Sequence, residues 1–215
     1  LFFEDKHEAK KWRRIAAMLN FFSHMQFLIS AASLSQLPVD TDAEVAFVGR
    51  SNAGKSSALN VIAGIKKLAK VSNTPGRTQL INLFAITPHM RLVDLPGYGY
   101  AKVPVAIKAR WQKTLADYLE QRQSLKGLIL LMDCRHPLKD LDKNFLEWSA
   151  ARQLPVHILL TKSDKLSRNL AAQALHKALP EAQALHPGAT MQIFSATHKI
   201  GVEEAQHQIM NWLKA

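Results

Sequence analysis

Short apolar runs alternate along this chain with longer stretches in which apolar residues recur every three or four positions. The runs Glu44 to Val48, Leu80 to Ile86, Arg91 to Asp94, Leu128 to Asp133, Val156 to Leu160 and Met191 to Phe194 predict six strands. Several are apolar almost throughout, Leu128-Ile129-Leu130-Leu131-Met132 most clearly, as a strand covered by helices on both faces requires. Leu80 to Asp94 reads instead as an antiparallel hairpin turning around Pro88. Between the runs, Ile107, Trp111, Leu115 and Leu119 recur every fourth residue behind Pro104 and predict a helix. Leu141, Phe145 and Trp148 predict another, which ends before Pro155, and Val202, Ala205, Ile209 and Leu213 a last one. The expected architecture is a three-layer α/β sandwich, with no internal repeat and no low-complexity linker.

Four short motifs fall at the ends of these strands. Gly49-Arg50-Ser51-Asn52-Ala53-Gly54-Lys55-Ser56 fits G-x-x-x-x-G-K-[ST] between a predicted strand and a predicted helix. Glycines allow such a loop to curl around phosphate oxygens and offer its N–H groups, and the following helix adds its positive end. Lys55 can then bridge the β and γ phosphates, and the Ser56 hydroxyl can ligate magnesium. Asp94-Leu95-Pro96-Gly97 ends another strand. Its aspartate can hold magnesium through a water, and its glycine N–H can meet the γ phosphate. Thr161-Lys162-Ser163-Asp164 follows the next-to-last run. The Asp164 carboxylate can accept from guanine N1–H and the 2-amino group, which adenine does not present, while Lys162 lies along the base or ribose. Ser195-Ala196, after Phe194, can bring a main-chain N–H to guanine O6. Each of the last three is a weak signal alone. Their order, each behind a successive strand, puts all four on one rim of a parallel sheet and points to a guanine nucleotide.

The chain has 215 residues, ample for one substantial core, with 47% hydrophobic and 21% charged residues, which excludes global disorder. One cysteine, Cys134, excludes an internal disulfide framework and points to a reducing compartment. No run of about 18 apolar residues could cross a bilayer. The basic stretch Lys10 to Arg14 before a semi-apolar segment has the outline of a secretory signal, but Glu4, Asp5 and Glu8 precede it and Asn20, Ser23, His24 and Gln26 interrupt it. Residues 1–26 are therefore expected to be a mobile extension and 27–215 a single domain.

Net charge is +11, and its distribution matters more than its size. Between Val45 and Ala116 eleven Lys and Arg face one acid, Asp94. A solvated helix face is the ordinary reason for such a cluster, yet this one spans the phosphate-binding motifs, which favours a polyanionic partner such as RNA. The nine histidines show no zinc-ligand spacing. His136 is expected to stabilise a loop, Cys134 to be an inert thiol, and Trp111, Trp148 and Trp212 to belong to the core.

The runs Glu44 to Ser57, Asn73-Thr74-Pro75-Gly76-Arg77-Thr78-Gln79, Asp94 to Ala101 and Met132 to Asp140, with the T-K-S-D site, resemble the EngB (YihA/YsxC) family of bacterial GTPases over roughly Phe27 to Trp212. The resemblance implies a P-loop GTPase of the Ras-like G-domain type, with a mostly parallel six-stranded sheet, one antiparallel strand, and helices on both faces. It implies GTP and GDP as ligands, magnesium held by Ser56, Thr78 and Asp94, and a catalytic set of Lys55, Asn52, Thr78 and Gly97. Ser57, Gly76, Arg77 and Phe194 complete the nucleotide contacts. Lys70 to Thr78 would form switch I and Asp94 to about Pro104 switch II, ordered by the γ phosphate and released on hydrolysis. A cytoplasmic monomer acting in large ribosomal subunit assembly, and thereby in growth and division, is the implied role.

Two departures from commoner GTPases stand out. Where a glutamine often follows D-x-x-G to orient the attacking water, this chain has Tyr98, whose phenol lacks the paired donor and acceptor, so slow intrinsic hydrolysis is expected. Asn52 matches the asparagine that coordinates potassium in cation-activated relatives; it either holds that ion or only shapes the loop. Thr161 stands where many GTPases have asparagine. The rival reading is an RNA-binding assembly factor that keeps guanine nucleotide as a structural ligand, and a phosphate-loop kinase or ATPase is a second.

Overall fold

The computed structural model describes residues 21–69, 80–98 and 105–215, and for 105–112 the backbone alone. The strands are β1 (Gln26–Ala31), β2 (Ala43–Gly49), β3 (Ile81–Thr87), β4 (Met90–Asp94), β5 (Leu125–Asp133), β6 (Val156–Thr161) and β7 (Thr190–Ile193). The helices are α1 (Lys55–Ala63), α2 (Val105–Gln121), α3 (Asp140–Ala151), α4 (Arg168–Leu185) and α5 (Val202–Lys214).

One sheet holds all seven strands in the order β1-β3-β4-β2-β5-β6-β7. β3 pairs antiparallel with both β1 and β4, and every other pairing is parallel. The sheet is therefore one strand larger than the six expected, while β3 is still the one strand that runs against the rest. β1 escapes sequence reading because it is an edge strand that leaves Phe27 and Leu28 exposed, so its pattern is neither alternating nor continuously apolar. α4 also had no sequence signal. Its buried face is Ala171, Ala178 and Ala182, and Pro180 lies inside it. Small residues and a proline do not make an apolar stripe, although they suit a helix lying close on its neighbours.

Alternation along the central strands divides the core. On β2, Ala46 and Val48 join one apolar cluster while Val45 and Phe47 join the other; on β5, Leu128, Leu130 and Met132 oppose Ile129 and Leu131. The first cluster takes Tyr118, Leu146, Ala178 and Ala182 from α2, α3 and α4, and the second takes Leu59, Ile62, Ala205 and Ile209 from α1 and α5. This is why the strands read as unbroken apolar runs. Phe22 and Met25 are buried in the second cluster, so the packed body reaches back beyond residue 27. Residues 1–20, the greater part of the expected extension, lie outside the described residues.

Part of the basic surplus is consumed inside the fold. Fully buried Glu44, at the start of β2, receives Arg122 at 2.7 and 3.0 Å, Arg91 at 3.3 Å and the Tyr118 hydroxyl at 2.7 Å. Arg91 also pairs with Asp42. A buried carboxylate so completely partnered ties β2, β4 and α2 together at the end of the sheet opposite the motif loops. Lys66, Lys67 and Lys113 are exposed, whereas Lys70, Arg77, Lys102, Lys108 and Arg110 lie outside the described side chains.

Candidate nucleotide site

The carboxyl ends of β2, β4, β6 and β7 carry the four motifs on one rim, with β5 between β2 and β6. Gly49 closes β2, and the reason for a glycine there comes from the next strand: a Cβ at Gly49 would lie 2.7 Å from the Leu131 carbonyl oxygen. Asn52 and Gly54 adopt left-handed backbone, φ 63° and 93°, which turns the loop over before α1 begins at Lys55.

Hydrogen bonding sorts the loop's donors. Ser51 N–H goes to the Tyr98 carbonyl at 2.9 Å and Ala53 N–H to the Arg50 carbonyl at 3.0 Å. Ala58 N–H is bonded to the Gly54 carbonyl at 2.9 Å, so the N–H groups of Lys55, Ser56 and Ser57 fall in the first turn of α1, where a helix has no partners of its own. Asn52, Gly54, Lys55, Ser56 and Ser57 thus form a ring of main-chain donors suited to phosphate oxygens.

Lys55 and Asp94 are both buried and form an ion pair across the mouth of this ring. Ser56, on the first turn of α1, and Asp94, at the end of β4, supply a hydroxyl and a carboxylate. Among the described residues no three His, Cys, Asp or Glu side chains are grouped so as to hold a metal ion by themselves. An ion here would have few protein ligands, all hard oxygens, which fits magnesium completed by phosphates and water. Leu95 is buried in the first core cluster, its N–H on the Phe47 carbonyl at 3.2 Å, so it braces the loop from below. Pro96 and Gly97 are buried above it. Gly76, Arg77 and Thr78 lie outside the described residues, and with them the expected third magnesium ligand.

On the other side of the loop, Thr161 Oγ1 donates to the Ala53 carbonyl at 2.6 Å and lies 3.0 Å from that of Met132. This is what the threonine does in its motif: it ties the base-recognition strand to the phosphate loop. Lys162 takes a left-handed backbone, φ 58°, and its ammonium lies 3.1 Å from Asp133 Oδ2. Burial works against ionisation of Asp133, but hydrogen bonds from Arg135 and Lys162 outweigh it and hold the carboxyl well below the usual range. Asp133 is a site residue that the motifs did not reveal; D-C-R carries no pattern of its own.

Asp164 accepts from the Ser195 hydroxyl at 2.7 Å, which orients the carboxylate and holds it below the ordinary value. Ser195 N–H is already bonded to the Ile200 carbonyl at 3.0 Å, leaving Ala196 as the main-chain donor of the Ser195-Ala196 pair. Phe194 does not face the site. Its ring is in the second core cluster, its N–H goes to the Leu160 carbonyl at 2.9 Å, and its carbonyl takes Ser163 N–H at 3.2 Å. Between phosphate loop and base motif opens a cleft of about 310 Å³ lined by Arg50, Ser51, Asn52, Ala53, Asp133, His136, Lys139 and Lys162. His136 holds the loop, its carbonyl accepting from Arg50 at 3.2 Å. Cys134 is buried, and burial pushes its thiol up.

Sheet order, phosphate loop and the rim of motifs define a P-loop GTPase. Residues 44–162, more than half the chain, match the sequence profile of the 50S ribosome-binding GTPase family. The chain belongs to the EngB family of GTP-binding proteins: it is 50% identical over 194 residues to the probable GTP-binding protein EngB of Coxiella burnetii, covering 90% of this chain and 95% of that one. It is 56% identical over 184 residues to that of Nitrosococcus oceani, covering 86% and 92%. Among solved structures, a probable GTP-binding protein EngB superposes with TM-score 0.59 at 19% identity over 80% of this chain and 99% of that one. Era in complex with a GTP analogue and a 16S ribosomal RNA fragment superposes with TM-score 0.63 at 20% identity, over 81% and 57%. At that identity the likeness speaks for the fold.

Proposed function

We propose that this GTPase hydrolyses GTP to GDP and phosphate as a switch in assembly of the large ribosomal subunit, in the cytoplasm, and so supports growth and division. The observation that carries the reading is the convergence of four separated motifs on one rim, joined to a family profile of 50S-binding GTPases. The related Era structure holds ribosomal RNA, and the exposed Lys66, Lys67 and Lys113 suit a polyanionic partner. Among the described residues no helix is long and apolar enough to cross a membrane.

In this reading the ring of N–H donors from Asn52 to Ser57 cradles the phosphates, and Lys55 leaves Asp94 to bridge the β and γ groups. Asp164, ionised and held by Ser195, accepts from the guanine edge, with Ala196 N–H at O6 and the Lys162 stem beneath the base. Ser56 and Asp94, with Thr78 from switch I, would hold magnesium, which would neutralise phosphate charge. Gly97 N–H meets the γ phosphate, and water attacks in line; the chain contributes positioning and charge. Tyr98 is turned away into α3, its hydroxyl 2.8 Å from Asp142, so it is not poised to orient that water, and slow intrinsic turnover follows. Asn52 lines the cleft and can supply one ligand to potassium, a positive charge that would offset the missing glutamine.

The decisive experiment is multiple-turnover phosphate release with and without purified 50S subunits, in potassium and in sodium at matched ionic strength. Faster release with subunits supports the switch. Absence of turnover under every condition, with nucleotide still bound, would favour the assembly factor that holds nucleotide as a structural ligand. Equal rates in the two salts would remove potassium.

A further inference from the structure

Tyr98, the first residue after the glycine assigned to the γ phosphate, is fastened at both its main chain and its side chain. Its N–H goes to the Gly49 carbonyl at 3.2 Å and its carbonyl receives Ser51 N–H at 2.9 Å, a parallel bridge between the phosphate loop and the start of switch II. Its hydroxyl donates to Asp142 Oδ1 at 2.8 Å, and its ring stacks on Phe145 with centroids 5.8 Å apart and planes 14° from parallel. Asp142 has no exposed surface, and its other oxygen accepts Lys139 N–H at 3.1 Å and lies 3.3 Å from Arg50 Nε. Because Arg50 Nε has no aligned hydrogen bond, that last contact is one of charge.

One carboxylate from the first turn of α3 therefore receives an arginine from the phosphate loop and a tyrosine from switch II. Capping α3 requires only the Lys139 bond. The Arg50 and Tyr98 contacts do something else: they fix two strands of the nucleotide site against each other. Burying an ionised carboxylate is costly unless its partners are in place, so loss of either partner should loosen the other. The α3 face continues through Phe145 and Trp148, 5.9 Å between centroids, to Arg152, which lies over the indole and reaches the Glu120 carbonyl of α2 at 3.4 Å. The element after switch II is thus anchored on the same helix face.

We infer that Asp142 is a positioning residue for GTP: by clasping Tyr98 and Arg50 it sets the Gly97 amide where a γ phosphate would meet it. The inference rests on the nucleotide reading above. It makes a demand that a purely structural carboxylate does not, because GDP has no γ phosphate and should depend less on the Tyr98 arm of the clasp than GTP does. A donor displaced by a fraction of an ångström, by contrast, weakens contact with the third phosphate alone.

The test is the ratio of affinities for GDP and a non-hydrolysable GTP analogue, measured by calorimetry with magnesium for the unsubstituted protein, Tyr98→Phe and Asp142→Ala. Tyr98→Phe keeps the ring on Phe145 and removes only the hydroxyl. The clasp requires the analogue to weaken by about fivefold or more relative to GDP in both variants, with GDP affinity within about twofold in Tyr98→Phe, which leaves Arg50 paired with Asp142. An unchanged ratio in Tyr98→Phe overturns the inference, and that variant decides alone if Asp142→Ala does not fold. Failure of the unsubstituted protein to bind GDP would instead remove the nucleotide reading itself, so the two failures are told apart.

Discussion

Replacing Thr161 by valine keeps the shape and removes one hydroxyl. The side chain is almost completely buried, and its Oγ1 donates to the Ala53 carbonyl at 2.6 Å while lying 3.0 Å from the Met132 carbonyl. Valine leaves Ala53, itself buried, with an acceptor turned toward a methyl group. An acceptor stranded in this way costs about 1–3 kcal/mol. For a chain of this size each kcal/mol moves the unfolding midpoint by about 2–4 °C, so a fall of about 2–12 °C is expected in the absence of nucleotide. The Ala53 carbonyl lies within the phosphate loop, so GDP affinity should fall as well, by about 5-fold or more, as the loop loses its tie to the base motif. Thr161→Ser restores the hydroxyl and should recover most of both losses. Scanning calorimetry with and without GDP measures them together. A midpoint within about 1 °C of the unsubstituted protein, with unchanged GDP affinity, would refute the argument that this hydroxyl joins the two halves of the site.

Gly49→Ala should be poorly tolerated, with about 1–3 kcal/mol lost or no soluble protein, because the new Cβ would meet the Leu131 carbonyl oxygen at 2.7 Å; denaturant midpoints check it. Ser195→Ala removes the hydroxyl that orients Asp164 and lowers its carboxyl, so GDP affinity should drop severalfold and fall off at a higher pH than in the unsubstituted protein, as calorimetry across pH would show. Asp133 and Asp164 both have folded-state values below their unfolded ones. Their stabilisation is therefore complete above the ordinary carboxylate value of 3.8 and is lost as pH falls through the lower folded values. Asp142 has the opposite sign: burial raises its carboxyl, so its ionisation works against the fold as pH rises past 3.8 toward the raised value. Urea midpoints from pH 7 to 3 should show a shallower acid limb for Asp133→Asn.

The parts of this protein that were legible in the sequence are those in which one residue type answers one physical demand. β5 and β6 read as apolar runs because helices cover both sides, and the phosphate loop reads as a motif because curling around an anion demands Gly54 and the lysine after it. β1 was not legible, since as an edge strand it exposes Phe27 and Leu28 and keeps its pairing with β3. α4 was not legible because alanines bury its face. At the site, the motifs name Asp164 and the Ser195-Ala196 pair but not their relation: the Ser195 N–H closes a turn with Ile200 and its side chain holds the aspartate, which leaves the main-chain donor to Ala196. Asp133, Asp142 and the Phe194 ring show the same limit. What each does depends on neighbours distant in the chain, and no local pattern records them.

The central claim is that this rim of loops receives a guanine nucleotide. Titration calorimetry of the full chain with GDP and, separately, with ADP, both with magnesium, tests it most directly. Saturable heat with GDP and none with ADP at the same concentrations is the expected result, and Asp164→Asn should abolish that preference. Equal heats from the two nucleotides, or none from GDP, would contradict it.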